Sequence, residues 1–194
     1  TEDITKMAAM SPSEKSYFET SVFAHAKHRI AWLLILMFSA TITGTIITRY
    51  ENAFAAIPLL VSFIPMLMDT GGNCGSQSST LIIRGIALGE IQFSDLFRVM
   101  FKEFRVSLIV GVALALANGI RILIMYKNAG LALVIGLSLV ATIVISKLIG
   151  CVLPLIAKKL HMDPAIMASP LITTLVDTCS ILIYFNIATQ VFQL

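Results

Sequence analysis

Long apolar runs, separated by short polar connections, dominate this sequence and predict an all-α membrane protein. The runs cover residues 30–48, 54–88, 106–126, 131–157 and 164–190. Because a hydrocarbon core of about 30 Å requires about 20 apolar residues in a helix, the pattern predicts five transmembrane helices per subunit within residues 29–194. Residues 1–28 are polar and mixed, and we expect them to form a cytosolic lead-in or connecting helix from about Ser13.

The second run is interrupted by a polar, glycine-rich stretch, residues 69–80, at a depth where lipid is expected. The apolar part before it, residues 54–68, is about 22 Å long as a helix, which is too short to cross the hydrocarbon core. Irregular backbone persists inside a membrane only where protein buries it or where it lines a water-filled cavity. We therefore predict that residues 69–80 break the helix and line a pathway through the membrane.

Residues 89–105 differ from the runs around them because apolar and charged side chains alternate along them. This pattern is typical of an amphipathic helix, which we expect to lie in the cytosolic interface. Further along the chain, Pro154 is predicted to bend the fourth helix. Asp163 and Pro164 form an acceptable start for the fifth helix, with Asp163 as the cap and Pro164 in the first helical position.

The composition agrees with a multi-pass protein of the cell membrane. Hydrophobic residues make up 57% of the chain and charged residues 13%, and the mean hydropathy is +0.90; such values are typical of integral membrane proteins. The net charge of +3 is small, so we expect the lipid bilayer and not nucleic acid as a partner. Cys74, Cys151 and Cys179 lack metal-ligand spacing and are interpreted as reduced packing residues.

Lysine and arginine are unevenly distributed between the connections, and this predicts the orientation. One side carries Lys27, Arg29, Arg98, Lys102, Arg105, Lys158 and Lys159, and the other carries Arg49 and Lys127. Cytosolic connections are enriched in lysine and arginine. We therefore expect the amino terminus in the cytosol and the carboxyl terminus outside.

Three ionisable residues, Asp69, Lys147 and Asp177, lie well inside predicted spans, where charges are costly and usually functional. For Lys147 we favour a structural interpretation, in which its stem extends to the interface or its amine pairs with a carboxylate. Asp177 is different because it lies about 20 Å along the helix from Pro164, near the middle of the membrane. Thr173 and Thr174, one turn before it, extend a polar stripe on an otherwise apolar helix.

Two catalytic or nucleotide-binding interpretations of the polar stretch are weak. Asp69-Thr70-Gly71 spells the aspartic-protease triplet, and Asp177 could be its partner in a dyad, but soluble proteases carry the triplet on strands and loops. An intramembrane protease is therefore an unlikely alternative, and we expect no enzyme activity. A phosphate-binding loop also fails because residues 71–80 lack the Gly-Lys-Ser/Thr ending.

A carboxylate inside the membrane beside exposed carbonyl groups favours a cation as ligand. One carboxylate from each subunit, meeting at a symmetry axis, gives a charge of about −2 that suits a divalent ion. Mg²⁺ fits this site because it dehydrates reluctantly and is commonly held through its water molecules. The residues do not separate Mg²⁺ from Mn²⁺ or Co²⁺.

The polar stretch and the fifth helix together resemble the signature of the MgtE magnesium channels. The matching segments are Pro65-Met66-Leu67-Met68, Gly71-Gly72-Asn73-Cys74-Gly75-Ser76-Gln77, Ile82-Ile83-Arg84-Gly85 and Ser169-Pro170-Leu171-Ile172-Thr173-Thr174-Leu175-Val176-Asp177. The resemblance covers essentially the whole chain, including Tyr17-Phe18-Glu19-Thr20-Ser21. It implies five helices per subunit and a homodimer with a pore on its axis.

The resemblance also implies the roles of individual residues. Asp177 is similar to the acidic pore ligand, and Gly72, Gly75 and Thr173 match positions whose backbone carbonyls face the hydrated ion. Asn73, Asp69 and Thr174 are accessory candidates. Asp69 is accessory because it lies outside the glycine motif. The family also carries cytosolic amino-terminal and CBS domains that sense magnesium, so this chain resembles the pore domain alone. We expect a magnesium channel, with an ion-coupled secondary transporter as the alternative.

Overall fold

The computed structural model describes residues 17–167 and 169–193, and every regular element in these ranges is helical. The α-helices are α1 Val22–Arg49, α2 Glu51–Ala56, α3 Ile64–Ala87, α4 Leu96–Tyr126, α5 Ala129–Lys159 and α6 Ser169–Phe192. Short 3-10 helices cover Pro58–Phe63, Phe93–Asp95 and Pro164–Met167. The all-α prediction is therefore confirmed, with five long helices and one short one in the described ranges.

The start of the first helix differs from the prediction. Residues 17–20 form a turn, and α1 begins at Val22. The side chain of Ser21, the residue before it, accepts a hydrogen bond from the Ala24 amide at 3.3 Å. Serine at this position satisfies an amide that the first helical turn leaves free. The predicted helical lead-in is therefore wrong for residues 17–20, and its beginning at Ser13 lies outside the described residues.

Four of the long helices have the length and hydropathy to cross a membrane. They lie at Val22–Arg49, Phe93–Tyr126, Ala129–Lys159 and Pro170–Phe192, among the residues described. Helix α3 has 24 residues, about 36 Å, but the polar side chains of residues 69–80 lower its hydropathy. Four of the five predicted spans are thus confirmed as membrane-capable helices, and the crossing by α3 stays a prediction.

The predicted break at residues 69–80 is wrong, because α3 is a continuous α-helix through the whole stretch. Its glycines do not interrupt the helix, since they lie where neighbouring helices pack closely against it. The irregular segment lies earlier, where Ile57 leaves helical geometry and Pro58 begins a 3-10 helix. Pro65 then occupies the first turn of α3, a position that tolerates a missing amide donor.

The amphipathic segment is also not a separate helix. Residues 96–105 are the first turns of α4, a single helix of 31 residues, about 46 Å long. No proline or glycine lies between Leu96 and Val110, so nothing in the backbone ends the helix before the third apolar run. The charged turns therefore extend the third predicted span along its own axis.

Side-chain caps lie at the start of α5 and of the 3-10 helix that precedes α6. The Asn128 side chain accepts a hydrogen bond from the Leu131 amide at 2.9 Å and starts α5, which contains Pro154. Asp163 accepts a hydrogen bond from the Ala165 amide at 2.9 Å, so its predicted capping role is confirmed. However, the capped element is the 3-10 helix Pro164–Met167, and α6 begins only at Ser169.

Helices α3, α5 and α6 form the centre of the protein, with α4 packed mainly against α5 and α1 mainly against α6. Leu60, Leu67, Ile135 and Phe185 are buried in the largest apolar cluster. The Tyr184 hydroxyl, also buried there, donates a hydrogen bond to the Leu60 carbonyl at 2.8 Å. The three cysteines are free thiols, as predicted.

Candidate ion-binding site

Helix α3 has two faces of opposite character. The buried face is apolar or small and carries Leu67, Gly71, Cys74, Gly75, Ser78 and Ile82. The exposed face is polar and carries Asp69, Asn73, Gln77, Thr80 and Arg84. The exposed residues follow one another at intervals of three or four positions, which places them on one side of an α-helix. The polar residues of the glycine-rich stretch thus form a stripe along a regular helix.

Glycines bring α3 into close contact with α6. A Cβ atom at Gly72 would lie 3.0 Å from Cγ2 of Thr173, and one at Gly75 would lie 2.7 Å from Cγ2 of Ile172. A Cβ atom at Gly71 would lie 2.8 Å from Cγ1 of Val176. As residue numbers rise along α3 they fall along α6, so the two helices are antiparallel. A larger residue at these positions would force the contacting side chains to shift or the helices to separate.

This antiparallel contact places the two predicted acidic residues near each other. Asp69 precedes Gly72 by three positions on α3, and Asp177 follows Thr173 by four on α6. Because Gly72 packs against Thr173 and the helices are antiparallel, both acidic residues lie about one turn from that contact, in the same direction. Asp177 is half-buried, whereas Asp69 is exposed. Two carboxylates on neighbouring helices create a local negative potential that attracts a cation. The sequence identified both residues, but the only pairing that it suggested was the protease dyad that we disfavoured.

The hydroxyl groups of Thr173 and Thr174 lie one helical turn before Asp177. Both donate a hydrogen bond to the Pro170 carbonyl, at 3.0 Å and 2.8 Å. A hydroxyl that donates to the backbone keeps its oxygen lone pairs for a further donor such as water. The two threonines are half-buried, so they add acceptor oxygens beside the carboxylate.

The Gly75 carbonyl group lies against α5. A Cβ atom at Gly150 would overlap the Gly75 carbonyl oxygen, so the backbones of α3 and α5 touch at this point. Ser146 contributes to the same contact, because its carbonyl oxygen would lie 3.2 Å from a Cβ at Gly75. The ion-facing roles of the Gly72 and Gly75 carbonyls stay predictions.

A buried polar cluster connects α3 with α4 and α5 next to this contact. Lys147 Nζ lies 3.6 Å from Glu103 Oε2, and the Ser78 hydroxyl donates to the same Glu103 oxygen at 2.6 Å. Lys147 Nζ also donates to Ser78 Oγ at 3.2 Å. The prediction that Lys147 pairs with a carboxylate is therefore confirmed. We call these three residues the Ser78–Glu103–Lys147 triad.

Glu103 was not among the predicted site residues, because it lies in the segment that was predicted to form an interfacial helix. The sequence does contain a signal, since Glu103 precedes Ser107 by four positions and Gly111 by eight. All three residues are buried on the face of α4 toward α5. A charge in line with small residues at a period of four indicates a helix-packing face.

Arg121 was also missed, although it lies within the predicted third span. Its Nε donates to Asn118 Oδ1 at 2.9 Å, and its guanidinium lies 5.9 Å from the centre of the Phe63 ring. The side chain is exposed. Within residues 17–167 and 169–193, no group of three or more His, Cys, Asp or Glu side chains is arranged to hold a metal ion.

Comparisons with known proteins identify the family of this chain. The family model MgtE, described as a divalent cation transporter, matches residues 64–187. Relatives named magnesium transporter MgtE occur in Bacillus subtilis, 39% identical over 97% of this chain and 41% of the relative, and in Thermus thermophilus, 35% identical over 97% and 42%. A third, from Enterococcus faecalis, is 34% identical over 85% of this chain and 36% of its own length.

The chain thus spans about two fifths of the length of these relatives. The matched region contains α3 with its glycines and polar face, the triad, and Asp177. A family model that covers this much of the chain, together with relatives matched over nearly all of it, shows the membership. This chain belongs to the MgtE family of divalent cation transporters.

Proposed function

We propose that this chain forms the membrane pore of a magnesium channel, in which hydrated Mg²⁺ moves along the polar face of α3 and is held beside Asp177. The observation that carries this proposal is the exposed stripe of α3, which continues from Asp69 to Arg84 in a bundle of membrane-capable helices. A polar stripe of this length is unfavourable against lipid. It is favourable against water in a pathway.

In a homodimer, the polar stripe of α3 would face a path between the two subunits and not lipid. If α3 and α6 of two copies face a common axis, the polar stripes line a shared path and each copy contributes Asp69 and Asp177. Homodimers with a twofold axis are the commonest symmetric assembly. Exposed apolar side chains on α1 and α4 then face lipid, as expected for the outer surface of a membrane bundle.

Magnesium is the ion we propose, because the chemistry of the site suits a hydrated ion and the relatives are named magnesium transporters. The Thr173 and Thr174 oxygens can accept hydrogen bonds from the water shell of the ion. Carboxylates at a short distance from that shell supply the charge without displacing the water. Mn²⁺ and Co²⁺ have similar charge and size, so we expect them to compete.

The buried triad favours a channel over an ion-coupled carrier. A carrier driven by protons or sodium needs a titrating or ion-binding group in the membrane, and we take Asp69 and Lys147 as the candidates for this group. Lys147 is already paired with Glu103, so Asp69 is the remaining candidate for the coupling group. Currents from single dimers in a planar bilayer should therefore be large and independent of proton and sodium gradients. Flux that requires either gradient would support the carrier.

The longer chains of the relatives extend beyond the part matched here. We propose that the full-length protein carries the cytosolic amino-terminal and CBS domains that the resemblance implies.

Asp177→Asn tests the site directly, because the change keeps the size of the side chain and removes its charge. At an effective dielectric constant of about 20, losing one carboxylate per subunit near a divalent ion costs several kcal/mol. This corresponds to Mg²⁺ binding that is at least about 100-fold weaker. Asp69→Asn should have a smaller effect, since Asp69 is exposed and acts through its field.

For both variants, Mg²⁺ binding is measured by calorimetry and Mg²⁺ transport by uptake into liposomes. Glu51→Gln, which removes an exposed carboxylate at the start of α2, serves as the control and should behave like the wild type. An Asp177→Asn protein that binds and conducts Mg²⁺ normally would falsify the site.

A further inference from the structure

The Ser78–Glu103–Lys147 triad joins three helices through buried polar side chains. Ser78 is fully buried, and Lys147 and Glu103 are only 5% and 8% exposed. The Ser78 hydroxyl donates a hydrogen bond to Glu103 and accepts one from Lys147. One side chain of α3 is thus bonded at the same time to α4 and to α5.

Stability is a weak explanation for such a cluster. Moving two charges out of water is costly, and apolar side chains of similar volume often stabilise a protein as well as a buried ion pair does. Breaking a buried pair, in contrast, leaves one charge without a partner and is strongly destabilising. The specific property of the triad is its directionality, since hydrogen bonds fix the orientation of the groups that they join.

The orientation of α3 about its own axis is what the triad fixes. Ser78 follows Asn73 by five positions, about 140° around the helix, so it lies on the side opposite the polar stripe. It also lies one turn after Gly75, which touches Gly150, and two turns after Gly71. A rotation of α3 would therefore stretch the bonds of Ser78 while it turned Asp69 and Asn73 away from the path.

The glycine contacts alone do not prevent this rotation. Glycine surfaces are smooth and allow close approach, but they have no side chain that interlocks with a neighbour. At Gly72, the atoms that face α3 are methyl and Cβ carbons of Thr173, which provide no directional bond. The triad supplies the directional bond that the glycine face lacks.

From these contacts we infer that Ser78, Glu103 and Lys147 are positioning residues for ion binding, which set the rotation of α3 and thereby the placement of its polar face beside Asp177. This inference rests on the proposed function, since it assumes that the ion binds along α3 and α6. None of the three residues belongs to the polar stripe itself. They act on the ion through α3.

Two variants remove the bond between the triad and α3 without leaving a buried charge unpaired. Ser78→Ala deletes the shared hydroxyl and leaves Lys147 paired with Glu103. The double variant Glu103→Leu with Lys147→Met removes both charges and replaces both bonding partners of Ser78 with apolar side chains of similar size. Lys102→Met is the matched control, because Lys102 is exposed and precedes Glu103 in α4.

Mg²⁺ uptake into liposomes is measured against Mg²⁺ concentration, together with the yield of folded protein from gel filtration. We expect both variants to fold and their half-saturating Mg²⁺ concentration to rise about tenfold, as is typical when groups that orient a metal site are removed. A purely structural role predicts a lower yield of folded protein and an unchanged half-saturating concentration. Lys102→Met should match the wild type in both measurements.

The inference is overturned if Ser78→Ala and the double variant reach half-saturation at the wild-type Mg²⁺ concentration. Asp177→Asn, measured in the same assay, separates this result from a failure of the proposed function. If Asp177→Asn loses transport while the triad variants do not, the site stands and the positioning role is wrong. If Asp177→Asn transports normally, the proposed site itself is wrong.

Discussion

Gly150→Ala is the substitution with the most direct structural consequence. In the middle of an exposed helix, replacing glycine by alanine stabilises the helix by about 1 kcal/mol. At Gly150 the new Cβ would overlap the Gly75 carbonyl oxygen and lie 3.0 Å from its carbonyl carbon and 3.2 Å from its Cα. All three atoms belong to the backbone of α3, so no side-chain rotation can relieve the contact.

Helices α3 and α5 must therefore separate, by about 1 Å, before these atoms reach ordinary van der Waals distances. Overpacking of this kind costs about 1–3 kcal/mol, which exceeds or offsets the gain in helix propensity. The separation also weakens the bond between Lys147 and Ser78, which lies one turn away. We expect Gly150→Ala to lower the free energy of unfolding by up to about 2 kcal/mol and to reduce Mg²⁺ uptake.

Gly119→Ala is the control, because a Cβ at Gly119 in α4 meets no atom within 4 Å. It should leave stability unchanged or raise it by up to about 1 kcal/mol. Denaturant unfolding in mixed micelles, followed by circular dichroism, compares the two variants, and liposome uptake measures their transport. If Gly150→Ala proves as stable and as active as Gly119→Ala, the close contact between α3 and α5 does not govern either property.

Two further predictions concern orientation and packing. An impermeant thiol reagent added outside should label a cysteine placed at Asn128 and not one at Lys159, because lysine and arginine favour the cytosolic side; the reverse labelling would contradict the orientation. Tyr184→Phe should lower the free energy of unfolding by about 1–3 kcal/mol, since the Leu60 carbonyl loses its buried donor. Tyr126→Phe, at a partly exposed ring, should not change stability measurably, and equal effects of the two substitutions would contradict this role of the hydroxyl.

The positions of the long helices could be predicted because hydrophobicity along a span is a local property. The fourth predicted span, residues 131–157, differs from α5 by two residues at each end. The pairing of Lys147 with a carboxylate followed from the cost of a lone charge in the membrane. Asp163 was recognised as a cap because the capping bond to Ala165 spans only two residues.

The continuity of α3 was not predictable from composition, because the same polar and glycine-rich residues are compatible with a loop or with a tightly packed helix. Neighbouring helices decided between these outcomes. Gly71, Gly72 and Gly75 lie where α5 and α6 approach α3, and a helix without side chains at those points buries its backbone against them. The polar residues between the glycines then fall on the opposite face.

By itself, the sequence determined the number of apolar runs, the polar character of the central stretch and the resemblance that identified the family, because each of these depends on residues close together in the chain. Only the tertiary structure decided which partner Lys147 has and which acidic residue lies near Asp177. Glu103 is 44 residues from Lys147, and Asp69 is 108 residues from Asp177. Contacts over such separations arise from helix packing, whose geometry depends on the shapes of several helices at once.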